Sequence, residues 1–133
     1  MRQRGFTIVE VLGACTLAGV LASVALPAWQ GTLLKARRSD AIAALGRLQA
    51  AQERHRAHHG LYGSDFAALG VAARSEQGLY ELAIEPAGPE GYRASAAARA
   101  GGAQAADAEC PRLVLEVVSG FVQQGPTARC WNR

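Results

Sequence analysis

An apolar run over residues 6–26, preceded by two arginines and broken by a single carboxylate, constrains this chain more than anything else in it. The opening reads MRQRGFTIVEVLGACTLAGVLASVALPAW, and within the run only Glu10 and Cys15 can ionise. Roughly 20 apolar residues make ~30 Å of helix, which matches the hydrocarbon thickness of a bilayer. Arg2 and Arg4 hold the leading segment on the cytoplasmic side through the positive-inside bias. Hydrophobic residues make up 50% of the chain and aromatics only 6%, so the excess is mostly Ala, Leu and Val, gathered at the start. The remainder reads as soluble protein. Composition therefore describes one membrane segment joined to one small globular part.

A secretory signal peptide would share the basic start, with Ala22, Ser23, Val24 and Ala25 as a small-residue cleavage site. Three features weigh against it. The run is long enough to span, the helical pattern continues past the supposed cleavage site, and Glu10 sits inside the run. An acid there costs on the order of 1–3 kcal/mol according to depth.

Beyond Pro27 the helical pattern resumes. Ala41, Ala44, Leu45, Leu48, Ala51 and His55 recur at i+3/i+4 spacing with charges on the opposite side, and Gly60 is a stop. One helix over residues 6–59 would be ~80 Å long. Pro27 removes the N–H that would reach the Ser23 carbonyl, and Gly13 and Gly19 have low helix propensity, so a kink or softened stretch is expected over residues 19–27. Ser64 or Asp65 then starts a short helical turn that Gly70 ends. Three strand-like runs follow, at 79–85, 92–97 and 113–118, the last the most apolar and expected to be central. Residues 86–91 read as a turn, and the Ala- and Gly-rich 98–108 as a variable surface loop. The expected class is α+β: a long N-terminal helix, half transmembrane and half amphipathic, packed on a small antiparallel sheet.

Gly5-Phe6-Thr7-Ile8-Val9-Glu10 resembles the class III signal, the prepilin cleavage motif of type IV pilins and type II secretion pseudopilins. The resemblance implies that a membrane prepilin peptidase cuts after Gly5 and methylates the new N-terminus at Phe6, leaving Glu10 five residues into the mature chain. Gly19 and Pro27 occupy places where type IV pilins carry a glycine and a proline. Leu26-Pro27-Ala28-Trp29 is similar to a stretch of that family, with Trp29 in place of the usual tyrosine. It implies the pilin fold, a cleaved leader at residues 1–5, a transmembrane and filament-core half-helix at 6–34, and a globular head at 35–133. The physics suits the residue types. Gly5 leaves the scissile bond open. Cleavage creates an α-amine on Phe6, the natural partner for a carboxylate otherwise stranded in lipid. In a straight helix Glu10 points away from its own terminus, so the amine of a neighbouring subunit is the expected partner, and the family is thought to set axial register this way.

Three cysteines divide by position. Cys15 lies in the apolar run and reads as a packing residue that stays reduced. Cys110 and Cys130 can close a loop of about 21 residues, worth roughly 3 kcal/mol on the chain-entropy model, and an exported head meets an oxidising compartment. In pilins such a pair bounds the C-terminal region, and the Cys130-Trp131 ending resembles PilE-like minor pilins.

The net charge of +3 is concentrated early, in Arg2, Arg4, Lys35, Arg37 and Arg38; from residue 39 onward nine basic residues face ten acidic ones. A sequence-independent nucleic-acid binder needs a basic surface, so nucleic acid is not an expected partner. Lys35, Arg37 and Arg38 read as the stop at the membrane surface. His55, His58 and His59 share helical spacing but have no nearby acid or thiol, so no metal and no cofactor are expected. With no nucleophile–base pair or phosphate loop, neither is enzymatic activity.

The function expected is that of a structural subunit of a type IV pilus, a minor pilin built into or priming a filament for motility, adhesion or DNA uptake. Its partners would be other pilin subunits, the prepilin peptidase, the inner-membrane assembly machinery and, before assembly, membrane lipid. The expected location is a single-pass inner-membrane protein with a periplasmic head, then the cell-surface pilus. The alternatives are a type II secretion pseudopilin, whose calcium-binding loop is not recognisable here, and a minor pilin acting as DNA-uptake receptor.

Overall fold

The computed structural model describes residues 5–133; Arg2 and Arg4, on which the orientation argument rests, lie outside the described residues. Those described fall into two compact units divided between Leu33 and Leu34. Helix α1, Ile8–His59, contributes to both and runs without interruption through Gly19 and Pro27.

In the first unit α1 is apolar and exposed on every side. Its most apolar window has a mean hydropathy of 2.0 with none of it buried, and the helix is long and apolar enough to cross a membrane. Its few hydroxyls need no solvent. Thr16 Oγ1 donates to the carbonyl of Gly13 at 2.9 Å, Ser23 Oγ to that of Val20 at 2.7 Å and Thr32 Oγ1 to that of Ala28 at 3.0 Å. Back-bonding of this kind is how polar side chains are accommodated where water is absent.

The second unit is the head. Here α1 buries Ala41, Ala44, Leu45, Leu48, Ala51 and Gln52, a stripe at 3.6-residue periodicity. After Gly60, left-handed at φ 78°, a loop leads to α2, Phe66–Leu69, with Asp65 capping its start and Gly70 ending it. Four strands follow, β1 Tyr80–Pro86, β2 Gly91–Ala98, β3 Arg112–Val118 and β4 Phe121–Gly125, in the antiparallel order β1-β2-β3-β4. The three expected strands are present, and a fourth, β4, completes the sheet. Its hairpin turn is Ser119-Gly120, both left-handed at φ 49° and 82°, as a two-residue type I′ turn requires.

Alternation sorts the sheet. Tyr80 and Leu82, Tyr92, Ala94 and Ala96, and Leu113, Leu115 and Val117 join the α1 stripe in a single apolar cluster. Ala94 and Ala96 are the β2 side chains that join this cluster beside Tyr92, so the interior strand carries little apolar bulk in sequence. Leu45 and Leu48 are fully enclosed; truncating either to Ala should cost about 2–5 kcal/mol. Gly91 is required by contact, because a Cβ there would lie 2.5 Å from the carbonyl oxygens of both Ala87 and Val117. Gln52, wholly buried, takes the N–H of Gly63 at 2.8 Å and donates to its carbonyl at 2.7 Å, pinning the post-helix loop.

Candidate functional site

Two arrangements hold the residues of interest, one in each unit. At the start of α1, Thr7 is the N-cap and Glu10 the third helical residue. Glu10 Oε2 accepts from the Thr7 backbone N–H and from Thr7 Oγ1, both at 3.0 Å, while the Glu10 N–H donates to Thr7 Oγ1 at 3.3 Å. This is a reciprocal capping box, T-x-x-E, which satisfies two of the orphan donors of a helix start. It corrects the expectation that Glu10 turns away from its own terminus. The helix begins at Ile8 instead of Phe6, so Glu10 falls at the position whose side chain reaches back. Phe6, exposed like Gly5, stands immediately before the cap. Cys15 is an exposed free thiol on the same helix.

In the head the principal cluster surrounds Arg38, 4% exposed. Its Nε and Nη2 donate to the two oxygens of Asp107 at 2.7 and 2.8 Å, Nη2 also to Glu109 at 2.9 Å, and Nη1 to the Arg129 carbonyl at 3.3 Å. Asp107, equally enclosed, accepts further from Gln104 Nε2 at 3.0 Å and from the Cys110 N–H at 3.2 Å. These hydrogen bonds hold the Asp107 carboxyl below its ordinary range despite burial, and the bond to Asp107 chiefly raises the Arg38 guanidinium. Glu109 is likewise lowered, mainly by Arg38.

One reading is corrected here: Arg38 is a buried structural cation and not part of an open membrane-surface stop. The segment 99–108 is a surface loop as expected, anchored through Gln104 and Asp107. The anchoring continues into the C-terminus. Cys110 and Cys130 form a disulfide with Cα atoms 5.5 Å apart. Trp131, 6% exposed, donates from Nε1 to the Gly125 carbonyl at 2.9 Å, seating the short 3-10 helix Ala128–Trp131 beside β4. One end of the head is thus tied together by a bidentate ion pair, a disulfide and an indole.

The histidines at the end of α1 do something plainer. The rings of His55 and His59 stack with centroids 4.1 Å apart. Among the described residues no group of three or more His, Cys, Asp or Glu side chains is placed to hold a metal ion.

Comparison with known proteins places these features in context. Residues 27–114 match the family model described as type IV minor pilin ComP, DNA uptake sequence receptor, and residues 1–26 match the prokaryotic N-terminal methylation motif. Similar proteins include the type IV major pilin protein PilE of Neisseria gonorrhoeae, 36% identical over 86 residues, which are 62% of this chain and 52% of that one. The fimbrial protein EcpC of Eikenella corrodens is 32% identical over 91 residues, 67% of this chain and 59% of its own. Type II secretion system core protein G of Pectobacterium carotovorum subsp. carotovorum is 33% identical over 85 residues, 64% and 48% respectively. The chain spans about half the length of the curated relatives it matches.

Proposed function

The chain belongs to the type IV minor pilin family whose model is described by ComP, the DNA uptake sequence receptor, and from that premise we propose that it is a structural subunit of a type IV pilus. The observation that carries this reading is the first half of α1. It is a capped helix, apolar on all sides, with none of its most apolar window buried by its own chain. Such a surface needs a solvent of its own kind: lipid before assembly, the packed helices of other subunits after it. The work is mechanical, not catalytic.

The maturation steps follow from the residues at the cap. Prepilin peptidase removes residues 1–5 by cutting after Gly5, and Phe6 is N-methylated. Residues 6–34 serve as the membrane and filament-core segment and 35–133 as a periplasmic head. In the free subunit the Glu10 carboxylate is occupied by Thr7. On assembly it exchanges that partner for the Phe6 amine of a neighbour, setting axial register, and residues 19–27, with Gly19 and Pro27, lose helical hydrogen bonds as helices pack. Exchange of one hydrogen-bonded partner for another keeps the carboxylate satisfied in both states and makes incorporation depend on cleavage.

The test is the ratio of subunit in sheared filaments to subunit in membranes. Glu10→Ala should leave insertion and cleavage unchanged and lower that ratio, with Glu10→Gln intermediate at best. An unchanged ratio removes the register role unless immunogold labelling places the protein at filament tips, where no subunit lies above it. A second reading, DNA uptake by this subunit, is favoured by the family match over residues 27–114. A mobility shift with double-stranded DNA that depends on a specific sequence would support it.

A further inference from the structure

The near-neutral sum of charge in the head conceals a polar arrangement. One end carries Lys35, Arg99, Arg112 and Arg129, all exposed, with Arg37 half-buried. Backbone contacts show that these belong together. Arg37 Nη1 donates to the Ala103 carbonyl at 3.3 Å, Gln104 Nε2 to that of Leu34 at 3.0 Å, and Asn132 Nδ2 to that of Lys35 at 3.4 Å. The Ala98 N–H donates to the Pro111 carbonyl at 2.8 Å, which sets Arg99 beside Arg112. Of the acids at this end Asp40 and Asp107 are buried and half-exposed Glu109 is held by Arg38, while exposed Glu81, level with Arg112 across β2, offsets one of the cations. Arg129, 82% exposed, shares Glu109 at 3.6 Å.

Midway along the head, charges cancel in the pairs Arg47–Glu76 and Arg93–Glu116, at 3.1 and 2.8 Å. At the far end Glu53, Asp65 and Glu90 are exposed, and of the two cations there, Arg54 and Arg56, the second is engaged by the Tyr62 hydroxyl at 2.8 Å; Glu85 lies across from Arg93 at the middle level.

We infer that this basic end is a docking surface for anionic phospholipid headgroups, which holds the head on the bilayer until the subunit enters a filament. The inference rests on the proposed membrane role of the apolar segment. Lys35 is the first charged residue after Glu10, so when the uncharged stretch between them is inserted, Lys35 lies at headgroup level. The fold gathers Arg37, Arg99, Arg112 and Arg129 at the same end, within reach of that level. The acidic far end is more than a Debye length of ~8 Å away along α1 and is screened from it. Lipid is favoured over nucleic acid because Lys35 directly follows the uncharged stretch in the chain, so insertion of that stretch brings a bilayer surface to this end of the head before any duplex. Each Lys or Arg near an anionic surface improves partition about fivefold, so the patch acts as a salt-sensitive clamp.

The full chain in nanodiscs provides the test. Hydrogen exchange of residues 99–109 and 128–133 is compared between phosphatidylcholine and phosphatidylcholine enriched in phosphatidylglycerol. Exchange should slow about fivefold or more in the anionic discs, return to the neutral-disc rate at high salt, and return likewise in the Arg99→Gln/Arg112→Gln variant with its melting temperature unchanged. Equal rates in the two lipids, with the chain retained in both discs, overturn the clamp alone. Failure of the chain to remain in either disc overturns the membrane reading as well. Equivalent slowing by duplex DNA in neutral discs, without slowing by anionic lipid, assigns the surface to nucleic acid and also overturns the proposal.

Discussion

Asp107→Ala is the most informative single change in the head, because it removes one partner of a buried ion pair and leaves the other in place. Arg38 and Asp107 have side chains 5% and 2% exposed and meet at 2.7 Å. Stranding one member of such a pair costs about 3–5 kcal/mol. Glu109 remains 2.9 Å from Arg38 but is half-exposed, which argues for the lower end, about 3 kcal/mol. Against the 5–15 kcal/mol typical of a whole domain this is a large fraction. At about 4–8 °C per kcal/mol for a domain of this size, the melting temperature should fall by roughly 12–24 °C. The chain has two tryptophans, so a Trp29→Phe background leaves Trp131, seated beside the disulfide, as the fluorescent reporter of the head. Full-length protein in detergent would be melted while following that signal. Glu116→Ala, which breaks the exposed pair with Arg93, is the control and should cost about 0.2–1 kcal/mol. If Asp107→Ala lowers the midpoint no more than Glu116→Ala does, Arg38 is not the buried anchor described here. The double variant Arg38→Met/Asp107→Leu should recover much of the loss, because removing both charges also removes the stranded one.

The disulfide closes a sequence separation of 20 residues, so Cys110→Ser/Cys130→Ser should cost roughly 3 kcal/mol and speed hydrogen exchange most in β4. Before reduction, alkylation should label Cys15 alone. Asp107 and Glu109 titrate below their ordinary values of 3.8 and 4.5. Their stabilisation is therefore complete above pH ~4.5 and is lost as pH falls through the lowered folded values; the acid unfolding curve of Asp107→Asn should lack most of that drop. Intact mass of protein extracted from membranes should lack residues 1–5 and carry one methyl group; an N-terminus near Leu26 would instead mark an ordinary signal peptide.

How far the fold was legible depended on whether the information was periodic. The stripe from Ala41 to Ala51 and the alternations in β1 and β3 repeat within a few residues, and each of those elements appears within two residues of where periodicity places it. β4 has no such repeat. Phe121 and Val122 are adjacent and both exposed, as an edge strand allows, and the one local signal was the Ser119-Gly120 turn. The capping box was readable too, since Thr7 stands three residues before Glu10 at the start of an apolar run. A helix started at Phe6 puts Thr7 inside it and hides the box, whereas the start at Ile8 makes Thr7 the cap. Arg38 is the harder case. Within Lys35-Ala36-Arg37-Arg38 nothing local distinguishes it from its neighbours, and its partner lies 69 residues away in a loop rich in alanine and glycine. Burial of one cation while Lys35 remains exposed is decided by the fold alone. The same holds for the surface charge. Nine basic against ten acidic residues gives a sum near zero, but a sum carries no positions. Once Asp40 and Asp107 are buried, the exposed end is left basic although the composition is balanced. An argument from net charge could therefore exclude a uniformly basic head but not a basic end.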